Sequence, residues 1–198
     1  DVAGIHLDYI RYPNSSFGYS PGEVELYFLE TCLQPEDDPL SWENWKRQQV
    51  TATVETVRAV LRGSDPQTVL TCAVMADPDT AREEFSCDWR YWLSQGLIDL
   101  AFPMAYTSNR ERALELASSI TLEHPEKVVY GIGLWNQSAE NALPAAERAL
   151  SLGARGICVF SLNSLSAQAG EVLRSRWGTG PMPDHGVSPA MFNRVVVP

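Results

Sequence analysis

Gly4-Ile5-His6-Leu7-Asp8-Tyr9-Ile10-Arg11-Tyr12-Pro13 alternates apolar Ile5 and Leu7 with His6 and Asp8. A period of two is the signature of a β-strand. The strand is expected to stop near Arg11, because Pro13 cannot donate to a ladder and holds Tyr12 extended. Ile5 and Leu7 then face a layer of helices, and His6 and Asp8 share the opposite face. An ionised carboxylate on that face is costly unless it is paired or used. Parallel α/β sheets and barrels place their active sites at this end of their strands. Two readings of Asp8 stay open: a reactive carboxylate, or a structural one satisfied by Arg11 or by backbone N–H groups.

Downstream of Pro13, residues Asn14 to Ser41 form a long segment broken by Pro21, Gly22, Pro35 and Pro39. One short helix is expected in it, over Pro21 to Thr31. The segment carries Phe17, Tyr19, Tyr27 and Phe28 and runs into Trp42. A stretch of this length inside a compact domain points to function, so Tyr19, Tyr27 or Trp42 is expected to touch a ligand. Ser41 is the expected cap of a helix over Glu43 to Arg62, where Trp45, Val50, Val54, Val57 and Leu61 recur at helical spacing.

From there strands and helices alternate. Strands are expected over Val69 to Ala76, Asp99 to Tyr106, Lys127 to Trp135 and Gly156 to Leu162. Helices are expected from Asp88 to Gly96, Arg110 to Ile120, Ala142 to Leu152 and Ala167 to Trp177. Asp77-Pro78-Asp79 reads as the turn that closes the second strand. Strict alternation with nearly continuous apolar strands predicts an α/β fold with a parallel sheet covered by helices. Five strands suit an open doubly wound sheet, or the second half of a parallel (β/α) barrel of TIM type. No phosphate-cradling glycine motif follows any strand, which weakens the nucleotide-binding version. Asp8, Asp77, Tyr106, Trp135 and Asn163 each end a different strand, as a barrel mouth requires. The reading is therefore a partial barrel over residues 1–177, opening at a functional strand, then a Gly/Pro-rich linker or tail over 178–198.

The chain of 198 residues can bury one sizeable core, and 44% hydrophobic with 20% charged residues is ordinary for a globular domain. A formal charge of −10 argues against nucleic acid and anionic membrane surfaces as partners. No apolar run is long enough to span a membrane. Cys32, Cys72, Cys87 and Cys158 form no CxxC and no Cys/His cluster, so neither zinc nor any other cofactor is expected. Cys72 and Cys158 read as buried apolar residues. Cys32 and Cys87, in or near loops, are the pair that an oxidising compartment could join.

The first motif, Gly4 to Pro13, resembles the signature strand of the bacterial glycosyl hydrolase-like 10 family of (β/α)8 glycosidases. Asp88-Trp89 and Ile98-Asp99-Leu100-Ala101-Phe102-Pro103-Met104-Ala105-Tyr106 are similar to that family's following helix start and strand. Gly131 to Trp135 and Gly156 to Ser161 match its last strands more loosely. The resemblance covers residues 1 to 177, read as strands four to eight. It implies hydrolysis of a polysaccharide without naming a linkage, and a secreted or cell-envelope protein.

Glycosidic cleavage generally needs two carboxyl groups flanking one bond, about 5–5.5 Å apart for retention and about 6.5–9.5 Å for inversion. Asp8 is the first candidate, with Arg11 placed to favour its ionised form. Asp77 is the second, sharing parity with Thr71, Ala73 and Met75; a turn role before Pro78 is the rival reading. Tyr106 shares parity with Phe102 and Met104, and Trp135 with Gly131 and Gly133. Both are candidates for holding a sugar, against simple core packing. His6, Arg11, Asn163, Tyr19 and Trp42 complete the expected substrate-binding set, with His6 read as a neutral histidine bonded to a neighbour ahead of a catalytic base. No metal ligands are expected. No Gly-x-Ser-x-Gly elbow is present, which argues against an esterase. The expected function is a glycoside hydrolase acting through paired carboxylates on an oligo- or polysaccharide. The alternative is an inert carbohydrate-binding barrel.

Overall fold

The computed structural model describes residues 2–177. The tail expected over 178–198 lies outside the described residues. The chain divides into two compact units, Asp1–Asp99 and Leu100–Pro198.

In the first unit, β1 (Gly4–Leu7) lies parallel to β2 (Val69–Met75), with Gly4 opposite Val69 and Leu7 opposite Cys72. Between them run α1 (Pro21–Thr31) and α2 (Pro39–Ser64). α1 starts on a capping box, in which Ser20 and Glu23 satisfy each other's backbone N–H. α2 starts earlier than its apolar spacing predicts. Asp38, not Ser41, is the cap: its carboxylate accepts from Ser41 N at 3.0 Å, and Pro39 supplies the preset φ of a first turn. The buried stripe of α2 is Trp42, Trp45, Lys46, Val50, Val54 and Arg58, spaced by three and four residues.

After β2, the Asp77-Pro78-Asp79 stretch does not merely turn. Asp77 accepts from Thr80 N at 2.9 Å and caps α3 (Pro78–Phe85), a helix that the hydrophobic pattern did not show. Then α4 (Trp89–Ser94) is capped by Asp88 and buries Trp89, Trp92 and Leu93. Asp99 ends the unit as part of its frame. It accepts from Leu70 N at 2.7 Å and pairs with buried Arg58 at 2.8 Å.

The second unit holds β3 (Leu100–Met104), α5 (Arg110–Ile120), β4 (Val129–Gly133), α6 (Ala139–Ser151), β5 (Gly156–Phe160) and α7 (Ala167–Trp177). Its strands are parallel in the order β3-β4-β5, with Met104 opposite Gly131, Gly131 opposite Cys158, and Gly133 opposite Phe160. β4 is buried along its whole length, as a central parallel strand must be. The close approach of β3 needs Gly131: a Cβ there would stand 2.7 Å from Pro103 O.

The four cysteines are free, with Cys32 exposed and the others buried. Burial pushes the Cys87 thiol up to about 12 and raises Cys72 as well, so both stay protonated and unreactive. Among the described residues, no helix is long and apolar enough to cross a membrane.

Candidate active site

Asp8 follows the last residue of β1 and is exposed. Tyr9 takes a left-handed conformation, φ 57°, which costs a non-glycine residue about 1 kcal/mol or more. That turn folds the Tyr9 N–H onto Asp8 Oδ1 at 2.8 Å and Arg11 N onto Tyr9 O at 2.9 Å. The carboxylate is thus fixed by backbone with its charge left in the open. The expected Asp8–Arg11 partnership does not form. The Arg11 guanidinium lies instead over two rings, 4.0 Å from the Tyr9 centroid and 5.2 Å from that of Phe85, contacts worth about 0.5–2 kcal/mol each.

One position back on the same face, His6 Nδ1 lies 2.7 Å from Thr71 Oγ1, and that hydroxyl also reaches Ile5 O at 3.4 Å. Burial lowers the His6 pKa, and the nearby Asp8 charge offsets part of that fall. Both the Thr71 contact and the lowered pKa favour a neutral imidazole at His6.

The segment after Pro13 is organised by a residue that sequence reading passed over. Lys46 on α2 is fully buried. Its Nζ pairs with Glu43 at 2.8 Å and donates to Ser15 O at 3.1 Å and Phe17 O at 3.3 Å. The rings of Tyr12, Tyr19 and Trp42 surround it. Gly18, at φ 101°, lies against its methylenes, where a Cβ would approach Cδ to 2.7 Å. Tyr12 Oη donates to Glu23 at 2.8 Å. Partial burial works to raise the Glu23 pKa, but hydrogen bonds from Ser20 and Tyr12 and the Lys46 charge outweigh it and lower it. Tyr27 and Trp42 are both 0% exposed and pack with Trp45. Trp42 is therefore core, which corrects its reading as a ligand contact; the same holds for Tyr27. Tyr19, 51% exposed, still offers a ring face to solvent.

In the second unit, β3 and β4 stop at Met104 and Gly133, short of the expected ends, so Tyr106 and Trp135 lie two residues past them. Tyr106 and Trp135 meet edge to face at 4.8 Å. They are joined by Phe160, stacked on Tyr106 at 5.5 Å and perpendicular to Trp135. Trp135 and Phe160 remain 51% and 44% exposed. The indole folds back over Gly133, where a Cβ would come within 2.5 Å of it. Gln137 Nε2 donates to Gly133 O at 3.2 Å, and Asn136 Nδ2 to Tyr106 O at 3.4 Å. Phe160 was legible in principle, since it continues the parity of Cys158. Asn163 is exposed in the short 3-10 turn Leu162–Ser164 just after β5. An exposed aromatic platform beside side-chain amides is what recognises a ring with an apolar face and a polar rim.

The model of the glycosyl hydrolase-like 10 family matches residues 1–145. The chain belongs to the glycosyl hydrolase-like 10 family. No curated protein matches it. The match to glycosyl hydrolase-like 10 spans β1 and Asp8, Asp77, Tyr106 and Trp135, and stops before β5, so Phe160 and Asn163 lie beyond it. The family name hints at glycosidase chemistry, and membership in glycosyl hydrolase-like 10 accords with the α/β architecture of parallel strands and helices.

Proposed function

We propose that this chain contributes the fourth to eighth strands of a (β/α) barrel of TIM type and acts as a glycosidase on a polysaccharide. The observation that carries the reading is Asp8: an exposed carboxylate at a strand's C-terminal end, held by the Tyr9 N–H and not consumed by Arg11. The Tyr106–Trp135–Phe160 platform supports a sugar as the ligand. Asp77 is the proposed second carboxylate, with Arg11, His6, Tyr19 and Asn163 as further contacts. Secretion or residence in the cell envelope goes with a polysaccharide substrate. One observation favours the alternative of an inert carbohydrate-binding barrel: the Asp77 carboxylate already serves as the cap of α3.

The deciding experiment is Asp8→Asn in the full-length protein, assayed on a panel of bacterial polysaccharides. Asn is nearly isosteric and Asp8 has no ion pair with Arg11 to lose, so the melting temperature should hold. Turnover should fall at least about 10²–10⁴-fold, the worth of acid/base catalysis alone. Undiminished turnover in this variant removes Asp8 from the mechanism. A wild-type protein that binds glycans without cleaving any favours the inert reading.

A further inference from the structure

We infer that a cleft beside Arg11 takes the carboxylate of an acidic sugar, so that the substrate carries uronic acid residues. This rests on the carbohydrate reading above and goes past it to the class of sugar. The cleft has a volume of about 230 Å³ and lies between the Tyr9–Tyr12 turn and Gln49, Val50 and Thr53 of α2. A single water takes about 30 Å³ of liquid, so the space suits a ligand group. It begins one residue from Asp8.

The charge balance of Arg11 points to the ligand. No carboxylate lies within ion-pairing distance of it among the described residues. Its Nε is buried with no hydrogen-bond partner. Its hydrogen bond from Nη1 to Tyr12 O is long, at 3.4 Å. Tyr9 and Phe85 lie over the guanidinium, so its ring contacts leave the planar fork of N–H donors to be matched along its edges. A carboxylate fits such a fork in two parallel hydrogen bonds. Gln49 and Thr53 add an amide and a hydroxyl suited to sugar hydroxyls. Val50 and Ile10 add apolar surface suited to a ring face. Tyr9 joins this cleft to the reactive group: its N–H holds Asp8 and its ring lies on Arg11. The strained turn at Tyr9 makes both contacts at once.

The test titrates the full-length protein with D-glucuronate, D-glucose and inorganic phosphate, followed by NMR. Glucuronate should bind at least about tenfold tighter than glucose, the worth of one charge-assisted hydrogen bond, and tighter than phosphate. Arg11→Gln should erase that preference, lowering glucuronate affinity to that of glucose in the same variant. Thr53→Tyr, which fills the cleft from an exposed position on α2 and leaves Arg11 in the sequence, should erase it too and covers the case of a misfolded Arg11 variant. Equal binding of glucose and glucuronate overturns the inference and leaves the carbohydrate reading standing. Binding of neither sugar sinks both. Phosphate binding as tight as glucuronate overturns the inference in favour of a general anion site, and a preference that survives both substitutions overturns it as well.

Discussion

His6 shows how a single side chain couples the sheet to the candidate site. It bonds Thr71 across the β1–β2 pair and stands on the face that ends at Asp8. Burial holds its pKa below 6.5, and Asp8 only partly restores it. Between 6.5 and that lower folded value, the unfolded chain binds more protons than the folded one. Stability therefore rises with pH across this window and is lost as pH falls through it. Replacing His6 with Asn keeps a polar partner for Thr71 and removes the titration. Melting temperatures taken from about pH 7.5 down to about pH 5.5 should then drop less for His6→Asn than for the wild type. The effect is small, because the ring is partly open to water. Equal slopes in the two proteins would assign the pH dependence to other groups.

Among the elements, α3 is the one whose function and fold compete for the same atom. Asp77 caps it, and Asp77 is also the proposed second carboxylate. Asp77→Ala should cost about 1 kcal/mol of stability, the usual worth of a lost N-cap. Asn caps as well as Asp, so Asp77→Asn should melt with the wild type. If Asp77 works in cleavage, that same Asn variant should lose turnover by about 100-fold or more; unchanged turnover would move the second carboxylate elsewhere. The helix itself was readable: Asp-Pro stops a strand, but the same pair also supplies a cap and a first-turn proline. Asp38-Pro39 repeats the lesson at α2, where Ser41 was the misleading choice. Periodicity finds helix interiors, and short helices such as α3 have too little interior to register. By contrast α1 and α5 begin and end where the sequence sets them, because their breakers and caps agree with their apolar spacing.

For the molecule as a whole, alternation of parallel strands and helices was legible because β1 alternates apolar with polar residues, the later strands are nearly continuously apolar, and each connection is long enough to cross over. Strand parity singled out Tyr106 and Trp135, although both lie two residues past the ends of β3 and β4, where the pleat no longer orients them. The Arg11 stack was not legible, because it depends on a left-handed Tyr9 that no glycine announces, and Trp42 was lost to the core because its place in the α2 stripe outweighs its neighbouring loop. The overall charge of −10 bears on the acidic sugar proposed for the Arg11 cleft. At long range the protein repels an anionic chain, and salt screens that repulsion over about 8–10 Å. The Arg11 contact is short and partly buried, so salt screens it less. Raising salt from about 0.05 to about 0.2 M, across which the Debye length falls by about half, should therefore leave the affinity for an acidic oligosaccharide level or slightly higher. Affinity for its neutral counterpart should not move. A basic surface that captured polyanions by general attraction would do the opposite and lose affinity steeply with salt. Such a steep loss, measured by calorimetry at several salt concentrations, would show that the acid is held by diffuse charge and not by one guanidinium.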